Sequence, residues 1–145
     1  MIVVDASVFV SATLASDAHH RASIDWLSRW FRLGQPLCAP MMLMIELAGA
    51  VARLTGNPLE GYRTIRVFRR LPQVQFFALD GHRATTAVAM AAELRLRGAD
   101  AIYIALAREL AVPLLSWDAE QLSRGTRFVA TFTPDTFPWP SDPAR

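Results

Sequence analysis

Ile2, Val3 and Val4 are three consecutive β-branched residues, and Asp5 follows them at once. A strand with one wet face alternates apolar and polar residues, whereas a strand covered on both faces does not. This run therefore reads as a buried strand of a parallel sheet. Short apolar runs and helical patterns then alternate along the chain. Further strands are expected at 36–39, 74–79, 113–116 and 127–132. Helices are expected over 7–14, over 18–33 with Asp17 as N-cap and Gly34 past the end, and over 41–54, ending near Gly56. Asn57, Pro58 and Glu60 form a strong helix start, for a helix running to about Leu71. Others run from Asp80 to about Leu96, over 100–110 after Gly98, and over 119–124. Strands alternating with helices in this way imply an α/β fold, a parallel sheet with helices on both faces.

The length of 145 residues suits one domain. A composition of 52% hydrophobic and 19% charged residues argues for a packed core and against disorder. Cys38 is alone, so no internal disulfide can form, and a reducing cytoplasm is the expected setting. No Cys/His cluster has zinc spacing. The opening residues lack a basic region and Asp5 interrupts their apolar run, so no signal peptide is expected. No uncharged apolar run is long enough to span a bilayer. The net charge of +2 permits a nucleic-acid partner without demanding one. All fifteen Lys/Arg positions are arginine. That excludes P-loop and Schiff-base chemistry, which need lysine.

Most acids have an arginine at helical spacing. Asp25 has Arg21 and Arg29, Glu60 has Arg63, Glu93 has Arg97, and Glu120 has Arg124. These read as solvated surface pairs of little energetic weight. Asp5, Glu46, Asp100 and Asp118 are different, because each lies in or beside an apolar run. Asp5 and Asp118 follow strands, Glu46 lies in the helix after another strand, and Asp100 is at a helix start. Capping alone accounts for Asp5, Asp100 or Asp118 taken singly. It does not account for the set, since the carboxyl ends of parallel strands form the crevice where such sheets bind ligands. Four facing carboxylates repel unless a cation is present. Oxygen donors of this kind suit Mg²⁺ or Mn²⁺, and such a site favours hydrolysis of a phosphodiester.

The segments "VVDASVFV", "APMMLMIELAGA", "GADAIYIALA" and "LLSWDAE" resemble the four acidic motifs of PIN-domain ribonucleases, most of all the VapC-type toxins of toxin–antitoxin pairs. The resemblance covers residues 1–132 and leaves 133–145 as a proline-rich C-terminal tail. It implies a three-layer α/β/α sandwich around a parallel sheet. It implies Asp5, Glu46, Asp100 and Asp118 as the acids of a Mg²⁺ (or Mn²⁺) site, with Asp5 and Asp100 as the direct metal ligands. Ser7 and Ser116 fall where supporting hydroxyls belong. The activity implied is metal-dependent cleavage of RNA, and the partners implied are an RNA substrate, a cognate antitoxin and a second copy of the chain.

Arg63, Arg66 and Arg70 share a helix face with Arg69 beside them, and read either as an RNA-tracking face or as a solvated one. Arg95 and Arg97, just before Asp100, are rival RNA-binding candidates, although Arg97 also has Glu93 at pairing distance. Trp26 and Trp30, one helical turn apart, read as core packing or as a groove for a partner helix, with Phe137 and Trp139 available to cover it. His19 and His20 are weak candidates for bases, and Tyr103 fits the core, or a place supporting the site acids, better than catalysis. Two other functions compete. One is a non-catalytic module of the same fold that binds RNA or protein. The other is an α/β phosphotransfer domain, which lacks here the lysine of receivers and the second aspartate of dehalogenase-type phosphatases, a position held by Ser7.

Overall fold

The structure is a computed structural model in which residues 1–139 are described; residues 140–145 of the expected tail lie outside them. Five strands form one sheet: β1 (Ile2–Val4), β2 (Leu37–Pro40), β3 (Val74–Phe77), β4 (Leu114–Leu115) and β5 (Thr131–Phe132). Their order is β3-β2-β1-β4-β5 and every pairing is parallel. Among the described residues seven helices connect them: α1 (Ala6–Thr13), α2 (His20–Arg32), α3 (Leu43–Thr55), α4 (Pro58–Phe68), α5 (Gly81–Leu94), α6 (Gly98–Glu109) and α7 (Ala119–Gly125). The expected α/β/α sandwich is the observed one. Helices α1 to α4 pack on one another, α5 packs on α6, and α6 lies against β1, β2 and β4.

The strand order decides where function can sit. From β1 the chain builds outward through β2 to β3, then returns to add β4 and β5 on the other side of β1. The boundary between β1 and β4 is thus the point where the direction of winding switches. Connections leave opposite sides of the sheet there, so a cleft opens at the strand carboxyl ends. Asp5 N–H donates to the Leu115 carbonyl at 2.9 Å, which ties the end of β1 to the end of β4.

Burial follows the apolar patterns. Ile2, Val3, Val4, Leu114 and Leu115 are fully buried, as central strands require. Residues Tyr103 to Ala107 of α6 are buried without interruption, so this helix has no wet face over more than a turn. Its alanines at 101, 105 and 107 allow it to lie close to the sheet. Helices α3 and α4 approach closely at Gly61, where a Cβ would stand 2.5 Å from the Ala48 carbonyl oxygen. Any other residue there would push the two helices apart.

Several boundaries differ from expectation. The last strand, expected over 127–132, is confined to Thr131–Phe132. Phe128 and Val129 instead donate their N–H groups to the Gly125 carbonyl, extending the turn that closes α7. Helix α2 begins at His20, with Asp17 accepting from His19 N–H just before it. The helix from Asn57 ends at Phe68, and Asn57 caps it through Leu59 N–H. Asp100 is the third residue of α6 and not its cap.

The tail also has structure. Phe137 packs edge-on against Trp26 and Trp30, at ring-centroid distances of 5.4 and 5.6 Å. Trp139 lies against the same pair and carries the Arg29 guanidinium 4.2 Å from its ring centroid. The two tryptophans, stacked at 4.9 Å, are thus covered by the chain's own C-terminal segment. Arg29 is held there rather than paired with Asp25, which takes Arg21.

Candidate active site

Asp5 leaves β1 in extended conformation and caps α1, with Oδ2 accepting from Ser7 N–H at 2.9 Å. The Ser116 hydroxyl, at the end of β4, donates to the same oxygen at 3.3 Å. Ser116 Oγ in turn accepts from Asp118 N–H at 2.9 Å, and Ser7 Oγ accepts from Trp117 N–H at 3.0 Å. The two serines thus lace the loop after β4 to the turn after β1. Asp118 caps α7 by accepting from Gln121 N–H at 2.8 Å. Capping and membership of the cleft are therefore not rival explanations for Asp5 and Asp118, because one side chain does both.

The other two acids arrive on helices. Asp100, in the first turn of α6, points its Oδ1 at Gln121 Nε2 (3.2 Å) and its Oδ2 at Arg97 Nε (2.9 Å). Glu46, in the first turn of α3, accepts from the Tyr103 hydroxyl at 2.5 Å. Gln121 Nε2 also donates to Asp5 Oδ1 at 3.1 Å, so one nitrogen joins Asp5 and Asp100. Arg97 NH2 reaches Asp118 Oδ2 at 3.0 Å, so one guanidinium joins Asp100 and Asp118.

The four predicted acids and both predicted serines thus lie in one cleft: Asp5, Asp100 and Asp118 are linked by shared donors, and Glu46 stands beside them on Tyr103. Among the described residues, no three His, Cys, Asp or Glu side chains close around one point. Each carboxylate instead accepts from a donor of this chain. The donor set is all oxygen, part buried and strongly anionic. That is what a hard divalent cation takes, with water completing its shell.

Burial shapes the charge of the site. Asp5 is 6% and Asp100 9% exposed. Burial pushes the Asp5 carboxyl above its ordinary value; hydrogen bonds from Ser7 and Gln121 pull it back, and the Asp100 charge raises it further. Glu46 is also raised, first by burial and then by Asp5 and Asp100, against the lowering effects of Tyr103 and Arg97. Burial and the neighbouring acids push the Tyr103 hydroxyl far up, so it stays protonated and can donate to Glu46.

The arginine candidates divide. Arg97 is in the site, as a partner of two acids, and the pair with Glu93 is not among the ion pairs formed. The reason is the turn between α5 and α6. Arg95 takes a left-handed conformation (φ 54°), which breaks the helical spacing between 93 and 97. Arg95 contributes its carbonyl, which accepts from Arg124, and no side-chain contact to the acids. Arg63 pairs with Glu60 and borders an apolar hollow of ≈ 370 Å³ between α1, α2 and α4. Arg66, Arg69 and Arg70 line a different hollow with Tyr62 and Met44. The face expected from spacing is therefore split. The rings of His19, stacked on Trp117 at 3.8 Å, and of His20, bonded to the Ser11 carbonyl, form no hydrogen bond to the four acids.

Gln121 is the residue that sequence reading missed. The signal was local: it stands three residues after Asp118, the Asp-x-x-Gln spacing of a capping box. In the structure its side chain turns instead to the buried acids.

The sequence matches the PIN domain family over residues 2–125. No curated protein matches it. The fold is similar to that of VapC20 from Mycobacterium tuberculosis, described as a Sarcin-Ricin loop cleaving toxin, with a TM-score of 0.67 and 18% identity over 83% of this chain and 92% of that one. It is similar to FitAcB from Neisseria gonorrhoeae, with a TM-score of 0.68 and 18% identity over 94% of this chain and all (100%) of that one. A toxin–antitoxin complex from Klebsiella pneumoniae matches with a TM-score of 0.66 and 16% identity over 92% of this chain and 98% of that one. At these identities the structural likeness is one of fold.

Proposed function

The chain belongs to the PIN domain family, and from that premise we propose that it is a divalent-metal-dependent endoribonuclease, the toxin of a toxin–antitoxin pair. The observation that carries the reading is the convergence of Asp5 and Asp100 on one buried amide, with Glu46 and Asp118 alongside, at the carboxyl ends of β1 and β4. Asp5 and Asp100 would hold Mg²⁺ or Mn²⁺ directly, and Glu46 and Asp118 would act through water. When bound, the ion supplies a water of lowered pKa and neutralises charge on the phosphodiester. Ser7 and Ser116 keep Asp5 in one rotamer. Tyr103, fixed as a donor, orients Glu46. Arg66 on α4, with Arg69 and Arg70 just past its end, offers cations for the RNA backbone. We take residues 1–132 as the catalytic unit.

A cognate antitoxin is the proposed protein partner, in line with the toxin–antitoxin complexes among the similar folds. The Trp26 and Trp30 face is taken by the chain's own tail. The hollow lined by Phe9, Leu27, Phe31, Val67 and Phe68 is an apolar surface open for such a partner. We also propose a homodimer, supported by the exposed apolar side chains of Ile45 on α3 and Val88 on α5. Light scattering tests that proposal. A cytoplasmic setting completes it, and no helix among the described residues is long and apolar enough to cross a membrane.

End-group analysis of a cleaved RNA oligonucleotide tests the chemistry. Attack by water leaves a 5′-phosphate and a 3′-hydroxyl, and chelation by EDTA stops it. A cyclic phosphate would instead mean a 2′-hydroxyl nucleophile and would overturn the mechanism. One observation favours a second reading, a non-catalytic binding module: Arg97 already pairs with Asp100 and Asp118. Calorimetry decides between the two, because the module binds no Mn²⁺.

A further inference from the structure

Three acids from distant parts of the chain meet on Gln121. Its side-chain nitrogen donates to Asp5 Oδ1 and to Asp100 Oδ1, and its backbone N–H donates to Asp118 Oδ1. Gln121 is fully buried, and its carbonyl Oε1 has no hydrogen-bond partner. The reverse amide orientation would set that oxygen against two carboxylates, so the nitrogen is the atom that faces them.

A side chain that only filled space here would be better apolar, because a buried carbonyl without a partner is unfavourable. Methionine has nearly the same length and carries no such cost. What glutamine adds is two N–H donors on one atom, with no charge. The absence of charge matters. Lysine or arginine at this position would also join the two acids, but would neutralise them and compete with a cation. Glutamate would add a third negative charge. The amide holds two like-charged groups at a fixed spacing and leaves their charge in place. Each carboxylate has about four acceptor positions; beside Gln121, Asp5 also accepts from Ser7 and Ser116, and Asp100 from Arg97, which leaves acceptor capacity on both.

We infer that Gln121 is the positioning residue of the cation site, fixing the separation and rotamers of Asp5 and Asp100 without neutralising them. The inference rests on the proposed cation site but not on the identity of the substrate. Asp118, three residues before it, caps α7, and that cap fixes the backbone from which Gln121 reaches inward.

Titration calorimetry with Mn²⁺ alone tests the assignment, on the intact chain and on Gln121→Met. The variant is expected to bind Mn²⁺ about tenfold more weakly, as supporting partners of metal ligands do. On a fluorescent RNA oligonucleotide its kcat should fall similarly, with KM within twofold. Unchanged Mn²⁺ affinity in the folded variant overturns the inference. Should Gln121→Met fail to fold, Gln121→Glu keeps the length and adds a charge. Its melting temperature without divalent ion should fall, and Mn²⁺ should restore it by more degrees than the ion gives the parent. A loss that Mn²⁺ does not restore marks a merely structural residue and overturns the inference. A parent that binds Mn²⁺ yet cuts no RNA sinks the nuclease reading alone, and the calorimetry still decides Gln121. A parent that binds no Mn²⁺ sinks both.

Discussion

At the floor of the cleft, Asp5 and Asp100 are buried and share the neutral amide of Gln121. At its rim, Asp118 is more exposed, and the donor it shares with Asp100 is the charged side chain of Arg97, itself 73% exposed. The two places solve the same problem, carboxylates close together, in opposite ways. At the floor geometry is fixed and charge is kept. At the rim charge is offset by a side chain that water can also solvate, so the pairing is weak and screened by salt. The difference teaches where a cation has to compete. It meets no rival charge on Asp5, and on Asp100 and Asp118 only the displaceable one of Arg97.

Breaking the floor should have the largest effect. Asp5→Asn or Asp100→Asn removes a charge that nothing nearby replaces, and several kcal/mol of electrostatic stabilisation go with it. Cleavage of an RNA oligonucleotide is expected to fall by about a thousandfold, while circular dichroism shows a folded protein. Retained cleavage would place the metal elsewhere. Ser116→Ala comes next, since Ser116 Oγ both donates to Asp5 and accepts from Asp118 N–H. A supporting partner of this kind is worth about 10–100-fold in activity or ion affinity, and Mn²⁺ calorimetry reads it. Loss of activity with unchanged affinity would mean that the serine serves the reaction and not the ligand.

The pH dependence of stability separates floor from rim more finely. Burial raises Asp5 above the ordinary carboxylate value. The unfolded chain therefore gives up this proton at lower pH than the folded one. As pH rises from the ordinary value through the raised one, the unfolded state is progressively favoured, and above the raised value the loss is complete. Glu46 acts in the same sense. In chelator, the melting temperature of the parent should decline across that window relative to Asp5→Asn, by a few degrees, and Mn²⁺ should remove the difference. Glu109 and Asp80, held low by Arg83, push the other way but are common to both proteins and cancel. A flat difference would mean that Asp5 is not strained by its burial. The smallest effect belongs to the rim. Arg97→Met should tighten Mn²⁺ binding by about two- to fourfold, an order-of-magnitude figure for one weak, solvent-screened charge pair. Weaker binding in that variant would make Arg97 part of the site and not a competitor.

What could be read early in the chain was whatever depends on near neighbours. The β-branched run at 2–4 became a central strand because three residues apolar on both faces have nowhere else to go. Asp5, Asp80 and Asp118 cap helices as their positions implied, since a cap closes on an N–H two or three residues away. The four acids stood out against apolar surroundings, and the cost of burying charge made them conspicuous. The strand expected at 127–132 was overextended for the converse reason. Apolar residues can pack on a core from a turn, as Phe128 and Val129 do, without joining a ladder.

The sequence by itself determined the element types, the caps and the set of acids, because propensity, periodicity and capping act over a few residues. The tertiary structure alone decided which acids share a donor. Gln121 lies 116 residues from Asp5, and Arg97 lies 21 from Asp118. Those contacts exist only because β4 returns to the side of β1, which brings the ends of two remote segments to one crevice. No local rule carries that information, since it is a property of the order in which strands pair.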